Sequence, residues 1–435
     1  MNASLEAALA EAEARYVSAN PISAARHATA RTAMPGGNTR TVLHFDPFPL
    51  AWAKGEGTVL EDLDGHHYVD FLGEYSAGFY GHSHPQILAV LQATLSNGIV
   101  LGGPNRFEAE LAALLQRRFP SLQKLRFCNS GTEANLFAVQ TARAVTGRDK
   151  VMVFGGAYHG GVFYFRGGGM KLNLPLDWVI APYNDIEGSL ALIKQHRDDL
   201  AAILVEPMQG SGGCLPADPA FLLALRQACT ENNIILIFDE VMTSRLSTGG
   251  LQAALGITPD MTTLGKYLGG GMSFGAFGGR EDIMQNFDPE RPDSWPHAGT
   301  FNNNVLSMAA GLTGLRDLCT PGAIASLNDK GEKLRRGVNA LAAKHDAPVQ
   351  ATGCGSFANL HFSATPIASS RDIDPATEPR RKMLHKLMHL DLIAAGQFLA
   401  RRGYIALNIA MEESHIDGFL AAIEEFIITR KALLA

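Results

Sequence analysis

Short, almost wholly apolar runs alternate with longer stretches of helical periodicity through the middle of the chain. Lys124-Leu-Arg-Phe-Cys128, Val151-Met-Val-Phe154, Trp178-Val-Ile-Ala181, Ala201-Ala-Ile-Leu-Val205 and Ile234-Ile-Leu-Ile-Phe238 are each too short for a stable helix. Most lack the polar alternation of a one-faced sheet, so they predict strands covered on both sides. Between them, Thr132 to Thr146 carries Ala134, Ala138, Ala142 and Val145 at helical spacing until Gly147 stops it, and Pro219 to Asn232 reads as another helix. The pattern predicts an α/β unit, a mostly parallel sheet wrapped by helices.

The flanks have a different rhythm. Residues 1–73 open on an acidic amphipathic helix, pass through a Pro- and Gly-punctuated stretch and carry a hairpin signal at Leu60-Glu-Asp-Leu-Asp-Gly65-His-His-Tyr68, with Asp-Gly as the turn. Beyond Leu318, helical segments accompany strand signals around Val349 and Ile405. At 435 residues the chain is longer than a single core usually grows. The expected division is a large domain over 74–317 and a smaller α+β domain built from 1–73 and 318–435.

Composition narrows the class. A content of 46% hydrophobic and 18% charged residues fits a well-buried globular enzyme, and a net charge of -6 offers no basic face to nucleic acid or anionic lipid. Neither partner is expected. Cys128, Cys214, Cys229, Cys319 and Cys354 are scattered, with no C-x-x-C and no His at metal-ligand spacing, so they read as thiols in a reducing compartment and no metal is expected. Acids occupy the N-terminal positions where a signal peptide would be basic, and no apolar stretch nears the ~18 residues of a membrane span. The cytoplasm is the expected location.

The chemistry lies at strand ends. Lys266 sits in Asp260-Met-Thr-Thr-Leu-Gly-Lys266-Tyr-Leu-Gly-Gly-Gly-Met272, beyond an apolar run that stops abruptly at Asp239-Glu240. A lone lysine among glycines is ordinarily a solvated loop residue. A phosphate-binding G-x-x-x-x-G-K loop is excluded, because Asp260 stands where the first Gly is needed and Tyr267 where Ser or Thr must follow. Paired with a distant acid, the lysine instead fits pyridoxal phosphate (PLP): the amine condenses with the cofactor's aldehyde, and the acid keeps the ring nitrogen protonated. Asn129-Ser130-Gly131-Thr132-Glu133, between a strand and a helix, combines free N–H groups, a permissive glycine and two hydroxyls into a phosphate cradle. Gly155-Gly-Ala-Tyr158-His159-Gly160 offers a ring that can stack on a planar cofactor, and Glu206-Pro-Met-Gln209 brings a further carboxylate to a strand end.

Together these segments resemble the class III aminotransferases of PLP fold type I. Asn129-Ser-Gly-Thr-Glu-Ala-Asn135, Tyr158-His-Gly, Val205-Glu-Pro, Phe238-Asp-Glu-Val241, Thr263-Leu-Gly-Lys266 and His297-Ala-Gly-Thr300 fall in that family's order across nearly the whole chain. The resemblance implies a large domain with a mostly parallel sheet of seven-stranded type. It implies that Lys266 holds PLP covalently and moves a proton, and that Asp239 binds the pyridine nitrogen. Tyr158 and Val241 would cover opposite ring faces, and Gly131 and Thr132, with Ser130, would bind the phosphate. Thr300 would reach the phosphate in a neighbouring subunit, which implies a homodimer with shared active sites. Glu206 and Gln209 would lie beside the ring hydroxyl.

Other segments bear on substrate. Met34-Pro-Gly-Gly37 resembles glutamate-1-semialdehyde aminomutases, but Asn38-Thr39-Arg40-Thr41-Val42 and Phe301-Asn302-Asn303-Asn304 depart from their pattern. Pro35-Gly-Gly-Asn-Thr-Arg40, Glu74-Tyr-Ser-Ala-Gly78, Met242-Thr-Ser-Arg245 and Thr300-Phe-Asn-Asn-Asn304 are similar instead to the β-phenylalanine aminotransferases. That resemblance implies a ping-pong transfer from a β-amino acid donor to a 2-oxo acid such as 2-oxoglutarate or pyruvate. Arg40 would hold the donor carboxylate and Arg402 the acceptor's, with Arg401 as the alternative, and Val42, Tyr75 and Tyr404 would form pocket walls. An aminomutase and a non-catalytic PLP-fold protein are the competing readings, the latter disfavoured by the intact Lys266 and Asp239.

Overall fold

The computed structural model describes residues 4–373 and 379–434, and the chain divides into two compact units. The larger holds Pro85–Ser326 and Ala368–Arg371. Its sheet contains β1 (Lys124–Cys128), β2 (Lys150–Phe154), β3 (Asp177–Ala181), β4 (Leu200–Val205), β5 (Ile235–Asp239), β6 (Met261–Gly265) and β7 (Gly275–Gly279). Their spatial order is β1-β7-β6-β5-β4-β2-β3. Pairing is parallel from β6 through β3, whereas β7 runs antiparallel to both β6 and β1.

Burial explains why the runs lack polar alternation. On one face Ala134, Ala138, Val139 and Ala142 of the Gly131–Thr146 helix pack with Val151, Val153, Ala202, Leu204 and Ile237. On the other, Phe221, Leu222 and Leu225 of the Pro219–Asn232 helix pack with Ile203, Val205, Leu236 and Phe238. Successive strand residues thus enter opposite cores, and both must be apolar. The sequence pattern missed β6 and β7, whose Thr and Gly content hides them. Close strand packing requires those glycines: a Cβ on Gly278 would lie 2.4 Å from the Lys124 carbonyl oxygen, and one on Gly279 would lie 2.2 Å from that of Asp260.

The smaller unit joins residues up to His84 with Leu327–Ile367 and the chain from Asp372. Strands Trp52–Glu56, Val59–Asp62 and His67–Asp70 form an antiparallel meander, with Leu60 opposite Tyr68 across a turn in which Gly65 has φ 89°. The short Gln397–Phe398 strand adds in parallel to its edge. Val349–Thr352, Phe357–Phe362 and Tyr404–Ala406 form a second antiparallel sheet. The first division falls after His84, beyond the expected residue 73, because the intervening loop is tied back by His82 N–H to the Gly57 carbonyl at 2.7 Å and Gly57 N–H to the His82 carbonyl at 3.0 Å. The later one falls within the Pro321–Lys344 helix, after Ser326 rather than at 318.

Ile237 is fully buried at the middle of β5. Ile237→Ala is expected to cost about 2–5 kcal/mol through lost burial and the cavity left behind. A urea-unfolding midpoint unchanged from wild type would contradict this packing.

Candidate active site

The end of β5 carries a carboxylate bound by three separate segments. Asp239 is buried, and its Oδ2 accepts from Asn135 Nδ2 and His159 Nδ1, each at 2.8 Å. Its Oδ1 accepts the Val241 N–H at 3.0 Å. A carboxylate only accepts, so His159 carries its proton on Nδ1. These bonds occupy three of the ~four acceptor positions of a carboxylate and leave one on Oδ1. That vacancy suits a single N–H donor such as a protonated pyridine nitrogen. Asn135 is itself oriented by the Thr263 hydroxyl, which donates to its Oδ1 at 2.7 Å, and Asn135 Nδ2 also reaches the His159 carbonyl at 3.0 Å. His159, Asn135 and Thr263 lay inside the sequence motifs without an assigned role. Their function is contact between distant segments, which spacing does not reveal.

Lys266 follows β6 directly and takes φ 56°, a conformation unusual for a residue with a side chain. Around it three segments converge. A Cβ on Gly131 would lie 2.8 Å from Val241 Cγ1, and one on Gly265 would lie 3.3 Å from that atom and 3.4 Å from the Gly131 nitrogen. Lys266, Gly131, Val241 and Asp239 therefore gather at neighbouring strand and helix ends.

Ser130 caps the Gly131–Thr146 helix, its hydroxyl accepting the Glu133 N–H at 3.1 Å. Glu133 Oε2 in turn accepts the Asn129 N–H at 2.9 Å. The first-turn N–H groups of Gly131 and Thr132 have no acceptor inside the helix, and the helix dipole favours an anion there. The Thr132 hydroxyl stands over Gly160, where a Cβ would come within 2.4 Å of it. Thr300 lies on an exposed segment tethered nearby, since Asn129 Nδ2 donates to Asn302 Oδ1 at 2.9 Å.

Glu206 closes another edge. Its two oxygens accept the Tyr158 N–H at 3.2 Å and the Gly210 N–H at 3.1 Å, so it anchors the loop that presents the Tyr158 ring. Burial pushes its carboxyl up to about 7; His159 opposes that shift and Asp239 adds to it. Tyr158 is 46% exposed, and its ring meets Tyr164 edge-on at 5.3 Å. Gln209 is wholly buried; its Nε2 donates to the Gly155 carbonyl at 3.0 Å, while its Oε1 has no hydrogen-bond partner among the described residues. An acceptor of this kind suits a hydroxyl donor. A vacant acceptor on Asp239, a helix N-terminus, an exposed tyrosine and an orphaned amide oxygen together fit a planar, phosphorylated pyridine.

The five residues expected to meet substrate gather in the smaller unit. Tyr75 and Tyr404 stack with centroids 5.5 Å apart at 21°. Arg40 Cζ stands 5.6 Å from the Tyr75 ring centre, and Arg402 Cζ stands 5.9 Å from the Tyr75 ring and 5.1 Å from that of Tyr404. The Tyr75 hydroxyl donates to the Val42 carbonyl at 3.0 Å. Arg401 is directed elsewhere, its Nη1 3.9 Å from Asp46 Oδ2. Sequence reasoning left Glu74 without a role, yet it forms an ion pair with Arg40.

Sheet order, Asp239 and Lys266 at the ends of neighbouring strands, and a helix terminus that favours an anion fit an enzyme of the PLP-dependent kind. The chain belongs to the class III aminotransferase family, whose sequence pattern matches residues 43–373, and its cofactor is PLP. It is 47% identical over 433 residues, covering 100% of this chain and 99% of the relative, to a β-phenylalanine transaminase of Variovorax paradoxus. A solved β-phenylalanine aminotransferase from Variovorax paradoxus superposes with a TM-score of 0.96 at 46% identity, covering 99% of each chain. A glutamate-1-semialdehyde 2,1-aminomutase of Chlorobium chlorochromatii is 38% identical, over 90% of this chain and 95% of its own. No metal-ligating cluster is present among the described residues, and no described helix is long and apolar enough to cross a membrane.

Two outcomes follow from this geometry. Gly131→Ala is expected to weaken PLP retention at least tenfold by absorbance titration, because the new Cβ strikes Val241, and adding Val241→Ala is expected to restore part of it. Glu206 has a raised pKa, so the folded protein binds an extra proton between its ordinary value, near 4.5, and about 7. Stability present below that window is lost as pH rises through it. Glu206→Gln should flatten the fall in unfolding midpoint between those pH values; an unchanged slope would rule out this origin.

Proposed function

We propose that this aminotransferase takes its amino group from a β-amino acid of the β-phenylalanine type and delivers it to a 2-oxo acid such as 2-oxoglutarate or pyruvate. The observation that carries the reading is the pair of guanidiniums, Arg40 and Arg402, over one tyrosine stack. A β-amino acid holds its carboxylate one carbon farther from the reacting amine than an α-amino acid does. One fixed clamp cannot serve both half-reactions of a ping-pong transfer, whereas two planar forks can each grip a carboxylate bidentately. The contact of Arg401 with Asp46 favours Arg402 for the acceptor.

PLP supplies an aldehyde that receives the donor amine and a ring that accepts the electron pair left when a proton departs. Lys266 would hold the cofactor and, once released by the donor, move the proton at the reacting carbon. Asp239, fixed by His159 and Asn135, would keep a proton on the ring nitrogen. Gly131 and Thr132, with the Ser130 cap, would bind the phosphate, and Glu206 and Gln209 would border the ring hydroxyl. Tyr158 and Val241 would confine the ring between them, and Val42, Tyr75 and Tyr404 would line the substrate pocket. The proposal includes a homodimer in which Thr300 of one subunit completes the phosphate site of the other.

Lys266→Ala should abolish transamination while some PLP binding persists. Arg40→Ala is expected to impair the donor half-reaction with 3-amino-3-phenylpropanoate and spare the acceptor half-reaction with 2-oxoglutarate, and Arg402→Ala to do the reverse. Removing a desolvated bidentate contact costs about 2–5 kcal/mol, or tens to thousands of fold, which single-turnover kinetics resolve. Equal loss in both half-reactions, or conversion of glutamate-1-semialdehyde without an acceptor, would defeat the reading.

A further inference from the structure

The substrate-side cluster brings two guanidiniums over one tyrosine stack. Arg40 and Arg402 both face the Tyr75 ring, and Arg401 is near enough to act on its hydroxyl electrostatically. Arg401 lies 3.9 Å from the Asp46 carboxylate, and Glu74 is the carboxylate paired with Arg40. Its placement is built into the backbone. Gly73, Glu74, Tyr75 and Ser76 have φ of 54°, 45°, 51° and 80°, four successive residues in the left-handed region. That turn is held at its start by Asp70, whose Oδ1 accepts the Leu72 and Gly73 N–H groups at 2.8 and 3.1 Å. Asp70 Oδ2 meets His82 Nε2 at 2.9 Å. A Cβ on Gly73 would lie 2.4 Å from the Ala406 carbonyl oxygen, so the turn is seated tightly against the strand that carries Tyr404. Non-glycine residues persist in such conformations only where the surroundings enforce them, and they gather at functional sites.

We infer that Glu74 is a built-in stand-in for the substrate carboxylate, occupying the Arg40 guanidinium until a carboxylate-bearing donor displaces it. The inference rests on the assignment of Arg40 to the donor carboxylate. Glu74 is a specificity-determining residue here, without contact with the reacting atoms. When no ligand is bound, its negative charge offsets the repulsion among the guanidiniums and keeps Arg40 over Tyr75, oriented for a bidentate grip. The pair is cheap to open, because both side chains are about half exposed, at 43% and 52%. A donor carboxylate replaces one ion pair with another, whereas a neutral tail offers Arg40 nothing in exchange. Glu74 therefore competes with the donor carboxylate for Arg40, and a neutral tail, which does not engage Arg40, is indifferent to it.

The test uses the holoenzyme and its Glu74→Gln variant, with Glu74→Asn as a second form because Asn tolerates the left-handed region. The KM for 3-amino-3-phenylpropanoate and the inhibition constant of the unreactive 3-phenylpropanoate are expected to fall about two- to fivefold, equivalent to ~0.4–1 kcal/mol. The inhibition constant of the neutral analogue 3-phenylpropanol is expected to stay unchanged. Carboxylate constants that rise or hold steady, or a fall shared equally by the alcohol, would overturn the inference. Arg40→Ala, measured in parallel, separates the failures. If it leaves the donor KM unchanged, the assignment of Arg40 fails and takes this inference with it. If it raises the KM while Glu74→Gln does not lower it, only the stand-in role is lost.

Discussion

The Asp239 carboxylate is the constraint on which the larger unit's site depends. A buried carboxylate without partners is costly, and here the partners come from three separate elements. Asn135 comes from the Gly131–Thr146 helix, His159 from the loop after β2 and the Val241 N–H from the chain beyond β5 itself. Through Asn135 the network reaches Thr263 on β6, opposite Asp239 in the sheet register. Satisfying one charge therefore fixes the helix that offers its N-terminus, the strand that leads into Lys266 and the loop that presents Tyr158. The acceptor position left on Oδ1 is a product of that fixation, because the carboxylate cannot rotate without breaking its existing bonds.

Much of this arrangement was legible in the sequence because chemistry restricts which residues can serve. The proposed roles of a covalent amine and an acid for the ring nitrogen, and a glycine where a helix begins close to Val241, leave few substitutes, so Lys266, Asp239 and Gly131 stand out from their surroundings. The strands β2, β4 and β5 were legible for a related reason, since their central positions are apolar and buried on both faces. The pattern failed at β6 and β7. Thr262 and Thr263 spend their hydroxyls on buried hydrogen bonds, and Gly278 and Gly279 are dictated by neighbouring carbonyls. Tertiary contact chose those residues, and no local periodicity records it.

The same limit explains the silent members of the site. His159, Asn135 and Glu74 were visible in motifs but carried no readable function, since each acts by touching a residue distant in the chain. Glu206 shows how a role can shift once contacts are known. Its two oxygens hold backbone N–H groups, so the structure gives it the work of anchoring the Tyr158 loop.

The residues proposed to choose substrate rest on a different part of the structure from those that fit the cofactor. The residues that fit PLP are fixed by a sheet and helix core within one compact unit, whereas Arg40, Tyr75, Arg402 and Tyr404 are fixed by a left-handed turn and a short antiparallel strand within the other. Each cluster is supported by its own packing. An aminomutase at 38% identity and a β-phenylalanine transaminase at 47% both align over nearly the whole chain, as this separation would permit. On the proposed reading, the turn of four successive left-handed residues that carries Glu74 and Tyr75, rather than the cofactor motifs, would hold the information that discriminates substrates.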